Sequence, residues 1–369
     1  MGFGWEAGRE ALEGELRRRY DCEAVLLTDS GTSALQAALA AAGSVGARVA
    51  LPAYCCYDVA TAATGAGCRA VLYDVDPATL GPDRDSVQRA LERGAGVVVA
   101  AHLYGYPVDV TMLSSACSQA NAVLVEDAAQ GVGGAFRGRS LGSWGSLSVL
   151  SFGRGKGVTG GGGGALLAHD ARGAGILSRA RERIGPWVRG MRNLGVLVAQ
   201  WMLARPGFYA LPSSIPFLHL GETVFRSPGR PRAAAPVSVA AARDALELSR
   251  DESATRRRNT LRLLHAARRG RGVDTVRALE GGEPGYLRLP VLLSPDRERN
   301  VRAERRLGIM PGYPRVLHEL EGFAEAVENR DVAFPGARTL TQRLVTLPTH
   351  GLLGEGDLIA LERWLSAAA

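Results

Sequence analysis

Along the first 130 residues, short apolar runs alternate with longer stretches in which alanine and leucine recur at helical spacing. Ala24–Thr28 (AVLLT) predicts a strand before DSGTSALQAALAAAG, a turn followed by an Ala/Leu-rich helix. Val49–Leu51 predicts a short strand before PAYCCYDVATAATGAG, again a turn and a helix. Ala70–Val75 reads as a strand and Ser86–Arg93 as a helix; Val97–Ala101 is a fully apolar strand and Met112–Ala120 a helix. Ala122–Val125 is a further strand, ending in Glu126-Asp127. Strands that are apolar throughout, rather than alternating, are buried on both faces. The pattern therefore predicts an α/β fold with a mostly parallel sheet covered by helices. Ligands of such sheets gather at the carboxyl ends of the strands, where the turns DSGT, PAYCCY, HLYG and EDAAQ all fall.

Residues 172–235 break this rhythm. Arg172–Arg192 is basic, NLGVLVAQWMLA at 193–204 is uncharged and apolar, and four prolines follow between 206 and 230. The apolar run is shorter than the roughly 20 residues that span a bilayer. It fits a buried helical hairpin or a subunit contact. It also fits a helix lying on a membrane surface, with peripheral contact through 187–222, because Trp187, Trp201 and several arginines flank it. From Pro236 the pattern is helical again, followed by a strand at Tyr286–Leu292, a helix near Asp296–Leu307, a strand near Arg343–Leu347 and a helix at Gly356–Ala368. This predicts a large domain over residues 1–240, carrying the atypical 172–235 insertion, and a smaller C-terminal α+β domain over 241–369.

Charge narrows the function class. The net charge is +7, but the arginines sit in short clusters such as 17–19 and 256–258 without interleaved aromatics. Solvated helix faces account for that better than nucleic-acid binding. The five cysteines (Cys22, Cys55, Cys56, Cys68, Cys117) form no CxxC pair, which fits free thiols in a reducing cytoplasm and no metal site. The first 20 residues lack the apolar core of a signal peptide.

One residue stands out against this composition. Lys156, in SFGRGKGVTGGGGG, is the only lysine in the chain. Arginine replaces lysine as a surface cation but is no practical amine nucleophile, so a lone retained lysine points to chemistry. Asp127 ends a buried strand, where an acid is costly unless a cation or a protonated heterocycle pairs with it; capping of the next helix is the other reading. Gln130 follows three residues later, within reach of the same place. DSGTSAL puts backbone N–H groups at a helix start, a ready anion site, although Ser and Thr are also common N-caps. Ser151 lies five residues before Lys156, and the intervening glycines let both approach a compact ligand; the glycine run also fits a merely flexible loop. An amine, a buried acid and an anion cradle are together what pyridoxal phosphate requires.

At this point the sequence resembles the DegT/StrS family of sugar aminotransferases, within the aspartate-aminotransferase-type fold. SGTSAL resembles the family's phosphate turn, LPAY the start of its cofactor loop, and HLYGYPVD its H-x-x-G-x-P-x-D segment. EDAAQGVGGAFRGRSLGSWG resembles the stretch holding the acid and glutamine, SFGRGKGVTGGGGGAL the lysine loop, and FPGARTLTQRLVTLPTH the small-domain ending. The resemblance implies that Lys156 carries pyridoxal 5'-phosphate as a Schiff base and that Asp127 pairs with its ring nitrogen. It implies that Gln130 contacts the ring hydroxyl side and that Gly31, Thr32 and Ser151 bind the phosphate. The family's ring-stacking aromatic falls at Cys56, with Tyr57 beside it and Tyr54 before it. The family's G-E/D-G-G is all glycine here, and HLGETVFRSPG stands where an Asn-containing segment often reaches a partner subunit. His102 fits either a place near the cofactor or a strand-end histidine satisfied by the backbone.

The implied activity is ping-pong transamination in a cytoplasmic homodimer, from an amino donor such as glutamate to a keto sugar, most often nucleotide-linked. Two alternatives stand beside it: a non-sugar or lipid-linked acceptor at the membrane surface, and a regulator that keeps the fold without turnover.

Overall fold

The structure is a computed structural model and describes residues 3–188, 195, 225–297 and 301–367. Most of the apolar run at 193–204 and of the 187–222 segment lies outside the described residues. In chain order the helix α1 (Phe3–Tyr20) is followed by β1 (Ala24–Thr28), α2 (Gly31–Ala42), β2 (Arg48–Pro52), α3 (Tyr57–Gly65), β3 (Arg69–Tyr73), α4 (Arg84–Glu92), β4 (Val97–Ala101), α5 (Val110–Gln119) and β5 (Val123–Asp127). Each strand and helix expected in this half is present, with ends shifted by one or two residues. The helix starts have identifiable causes: Asp83 and Asp109 cap α4 and α5 by accepting from Ser86 N–H and Met112 N–H.

Beyond β5 come the short strands β6 (Ala135–Phe136) and β7 (Arg139–Ser140), then β8 (Leu147–Ser151), β9 (Gly164–Ala168) and α6 (Ala171–Arg183). The large sheet runs β1-β9-β8-β5-β4-β2-β3, and all strands are parallel except β9, which is antiparallel to both β1 and β8. The connection from β8 to β9, residues 152–163, contains no helix, whereas a parallel return is usually made through a crossover helix. Strands β4 and β9 are buried at every position, the two-sided burial that their unbroken apolar runs require.

A 32-residue helix, α7 (Pro236–Ala267), joins the two halves of the molecule. Near its start Val239, Ala242 and Leu246 pack with Leu12, Leu16 and Tyr20 of α1, a stripe at i, i+4, i+8. Near its end Leu263, Ala266 and Ala267 belong to a different core. That core covers a four-stranded antiparallel sheet, β10-β12-β14-β13, made of β10 (Val273–Thr275), β12 (Leu289–Leu293), β13 (Met310–Pro311) and β14 (Leu344–Leu347). The strand β11 (Gly282–Glu283) instead completes a small sheet with β6 and β7. Helices α8 (Val301–Arg306), α9 (Pro335–Arg343) and α10 (Glu355–Ser366) complete this part.

The strand expected from Tyr286 begins only at Leu289, because Tyr286 has φ +49° and lies in a turn whose Gly285 N–H donates to Gly105 O. Arg256, within an arginine cluster read as solvated, is buried and ion-paired to Glu252 at 3.0 Å, whereas Arg257 and Arg258 are exposed. The two parts are tied by tertiary bonds: the Asp74 carboxylate accepts from Gly336 and Ala337 N–H at 2.8 and 2.7 Å, fixing the start of α9 at the end of β3. Among the described residues no helix is long and apolar enough to cross a membrane.

Candidate active site

Five strand ends of the large sheet open on one edge. β1 leads into α2, β2 into the turn before α3, β4 into His102, β5 ends on Asp127 and β8 on Ser151. A pocket opens between them on that edge. Its walls include Gly31, Thr32, Cys55, Cys56, Asp58, His102, Asp127, Gln130, Ser151 and Lys156, with Leu35, Leu103 and Val149 as apolar surface. Of the residues singled out from the sequence, Lys156, Asp127, Gln130, Gly31, Thr32, Ser151 and Cys56 therefore share one pocket. Tyr57 does not line it.

One end of the pocket is built by α2. Ser30 caps the helix: its Oγ accepts from Ser33 N–H at 3.0 Å, and its carbonyl accepts from Ala34 N–H at 3.1 Å. The Thr32 amide thus lies ahead of the intrahelical ladder, at the positive end of the helix dipole. Of the two readings open in the sequence, capping is observed, at Ser30. Gly31 sits against the end of β8, since a Cβ there would come within 2.8 Å of Ser151 Cβ. That contact brings the Ser151 hydroxyl to the helix start.

The lysine loop is held rather than free. Phe152 N–H donates to Gly163 O, Gly160 N–H to Phe152 O, and Gly163 N–H to Asp29 O. A Cβ on Gly164 would lie 2.5 Å from Gly31 N, so the end of the glycine run is the surface on which α2 starts. Lys156 is half-buried and enters the pocket near Asp127 and the two cysteines.

At the opposite wall, burial pushes the Asp127 carboxyl above its ordinary range, while the Lys156 charge and a hydrogen bond from Ala129 N–H, 3.1 Å from Oδ1, pull it down. No described protein group bonds its Oδ2. Glu126, the preceding residue, is fully buried and points the other way. It accepts from His102 Nε2 at 2.9 Å, Gly142 N–H at 3.0 Å, Trp144 N–H at 2.5 Å and Gly145 N–H at 2.7 Å. Burial alone would raise its pKa, but the bonds from His102 and from the Gly145 and Trp144 amides together hold it below the usual range. His102 Nδ1 accepts from Val108 N–H at 3.3 Å, so Nε2 carries the proton given to Glu126. His102 lines the pocket, but only its Nδ1 is satisfied by the backbone; its Nε2 is bonded to the Glu126 carboxylate. The part played by Glu126 is legible only from strand alternation, which turns adjacent acids to opposite faces.

Cys56 caps α3 beside Asp58, its Sγ donating to Oδ2 at 3.6 Å, and burial pushes its thiol up to about 12. Asp58 places a carboxylate at the pocket rim, although the lysine loop carries none. Tyr57 turns towards the second sheet, its hydroxyl accepting from Arg315 N–H at 2.9 Å. Tyr54 is fully buried and bonded to Tyr104 and Tyr313.

Residues 6–189, about half the chain, match the family described as the DegT/DnrJ/EryC1/StrS aminotransferase family. An L-glutamine:2-deoxy-scyllo-inosose aminotransferase from Streptomyces kanamyceticus is 32% identical over 182 residues, covering 48% of this chain and 42% of the relative. A dTDP-4-dehydro-2,3,6-trideoxy-D-glucose 4-aminotransferase from Saccharopolyspora spinosa is 34% identical over 163 residues, covering 44% of this chain and 42% of the relative. The alignment thus spans well under half the length of these curated relatives. Among solved structures, 3-amino-5-hydroxybenzoic acid synthase superposes with a TM-score of 0.78 over 97% of this chain and 90% of its own, at 22% identity. At that identity the likeness speaks for the fold.

Proposed function

We propose, because the chain belongs to the DegT/DnrJ/EryC1/StrS aminotransferase family, that it is a pyridoxal-phosphate-dependent aminotransferase moving an amino group from a donor such as glutamate to a keto sugar. The observation that carries this reading is the convergence in one pocket of the only lysine, a half-buried acid at a strand end and the start of α2. The residues fit the cofactor. Asp127 is an acid whose charged form burial disfavours and whose Oδ2 has no partner among the described residues, a place suited to a protonated ring nitrogen. Gly31 packs directly against Ser151, which brings the Ser151 hydroxyl to the helix start beside the Thr32 amide, an arrangement suited to phosphate.

Bound there, pyridoxal phosphate supplies an electron sink that allows a proton to leave the amino-bearing carbon of the donor. Lys156 Nζ would hold the cofactor and, as a free amine, would take up the proton released from the donor carbon. Asp127 keeps a positive charge on the ring side of the pocket. Thr32 N–H and Ser151 Oγ bind the phosphate, and Leu103 and Val149 exclude water from the wall between. A nucleotide-linked keto sugar as acceptor, and a cytoplasmic homodimer, are the finer parts of the proposal. Relatives named for a glutamine donor and for a dTDP-linked keto sugar support the substrate class.

Borohydride reduction of the protein incubated with pyridoxal phosphate, followed by peptide mapping, tests the reading. An adduct on Lys156 is expected; no cofactor uptake, or an adduct elsewhere, overturns it. Turnover with glutamate and glutamine against a panel of nucleotide keto sugars then identifies donor and acceptor.

A second reading keeps the chemistry but places a lipid-linked acceptor at a membrane surface. It is favoured by the exposed Trp187 and Val188, 44% and 56% accessible, which lead towards the apolar run. Binding to anionic vesicles that is lost on deleting 187–222 supports it, and no binding ends it.

A further inference from the structure

Gln130 lines the pocket, but its amide is engaged on both sides. Its Oε1 accepts from Tyr104 N–H at 2.8 Å and its Nε2 donates to the Tyr313 hydroxyl at 3.0 Å. The orientation is forced by chemistry, since a backbone N–H can only donate and must face the amide oxygen. The network then closes on itself. Tyr313 N–H donates to the Tyr54 hydroxyl at 2.9 Å, and that hydroxyl lies 3.3 Å from the hydroxyl of Tyr104. Four hydrogen bonds thus link Tyr54 after β2, Tyr104 after β4, Gln130 after β5 and Tyr313 after β13. Three come from the large-sheet edge that holds the pocket; the fourth comes from the second sheet.

The circuit is buried and closely fitted. Tyr54, Tyr104 and Tyr313 are 0%, 6% and 8% exposed, and the rings of Tyr104 and Tyr313 stack at 6.0 Å and 18°. Tyr104 adopts φ +56°, ψ +18°, a left-handed conformation that a tyrosine does not choose by itself and that the Gln130 oxygen holds in place. Position 312 must be glycine, because a Cβ there would stand 2.1 Å from the Tyr54 hydroxyl and block its approach to Tyr313 N–H.

We propose that Tyr313 is a positioning residue of the pocket. Its hydroxyl fixes the Gln130 amide and its backbone N–H fastens the second sheet to Tyr54, so that filling the pocket and docking the second sheet favour each other. This rests on the cofactor reading above. The coupling is reciprocal by linkage: whatever ordering of Gln130 docking contributes to binding, binding returns to docking. Without the hydroxyl, a buried amide N–H in the pocket wall loses its acceptor and the Gln130 side chain is free to turn.

The test is Tyr313→Phe, which keeps the ring and the backbone N–H. Fluorescence titration of the cofactor-free protein is expected to show pyridoxal phosphate bound about five- to tenfold more weakly, the size of one lost hydrogen bond. The pH midpoint of the bound cofactor's absorption is expected to move as well. Gln130→Ala should weaken binding similarly, and the double variant should be no weaker than Gln130→Ala alone. A Tyr313→Phe protein with wild-type affinity and absorption midpoint overturns the proposal, as do additive effects in the double variant. Should Tyr313→Phe not fold, deuterium exchange at the Tyr313 amide decides. In wild type, cofactor is expected to slow it, and in Tyr54→Phe or Gln130→Ala that slowing is expected to be lost. Equal slowing in all three overturns the coupling. Wild-type protein that takes up no cofactor removes the cofactor reading, and this inference with it; normal wild-type uptake with unchanged variants removes the inference alone.

Discussion

Gly31 and Ser151 lie so close that a Cβ on the glycine would come within 2.8 Å of the serine's own and 3.3 Å of Leu150 O. One neighbour is backbone at a strand end, so neither side yields easily. Gly31→Ala is expected to cost about 1–3 kcal/mol of stability, the usual price of overpacking a fitted contact, and to weaken pyridoxal phosphate by about tenfold or more as the cradle opens. Thermal unfolding and cofactor titration measure the two effects separately. Ser151→Ala should weaken the cofactor with little change in unfolding temperature.

Lys156→Arg separates charge from nucleophilicity. Arginine keeps a cation near Asp127 but forms no stable imine. Transaminase turnover is expected to fall by about a thousandfold or more, and borohydride should trap no adduct, while the unfolding temperature stays near that of the parent. Retained turnover in this variant would sink the assignment.

Glu126 and Asp127 are adjacent in sequence and opposite in pH dependence. Glu126 is held below its ordinary value of 4.5, so its stabilisation is complete above that pH and is lost as the pH falls through its depressed folded value. Glu126→Gln puts an amide N–H where backbone N–H groups already point, and is expected to destabilise at neutral pH by about 3–5 kcal/mol. The penalty should shrink as the medium is acidified. Asp127 is raised above its ordinary value of 3.8, so folding favours its protonated form and that advantage is lost as pH rises through the folded value. Cofactor-free Asp127→Asn should therefore melt higher than wild type at neutral pH, with the difference vanishing below about pH 3.8, while losing activity. Thermal melts across pH measure both signs.

Cys56 is a pocket thiol that should be chemically quiet. With its pKa pushed up to about 12, alkylation by iodoacetamide at pH 8.5 should run about a thousandfold more slowly than at an ordinary free thiol, because the thiolate is the nucleophile. Mass spectrometry after timed alkylation checks this, and rapid labelling of Cys56 in the native protein would contradict it.

The α/β half was legible because its signals are local. Val97–Ala101 is apolar at every position and Met112–Ala120 follows a capping Asp109, so periodicity and caps alone place both. The lysine loop offered a candidate nucleophile in the sequence but not its own structure. Nothing local in GGGGALLA says that its second half is a strand running against its neighbours; pairing with β1 and β8 decides that. In the second half, Tyr286 fits a strand by type, yet contact with Gly105 holds it in a turn.

What the sequence determined by itself was the set of candidate groups, because residue type sets nucleophilicity and charge: one lysine, Asp127 at a strand end, and small residues at the start of α2. Tertiary structure alone decided which way the aromatics face. Tyr57 and Tyr54 flank the pocket in sequence, but their hydroxyls bond to Arg315 and Tyr313, more than 250 residues away in the chain. A buried hydroxyl goes where a partner exists, and the partners come from the second sheet. The same rule sends Glu126 away from the pocket and leaves Asp127 in it: alternation along β5 gives the two acids opposite faces, and only packing determines which face meets His102 and the 142–145 amides.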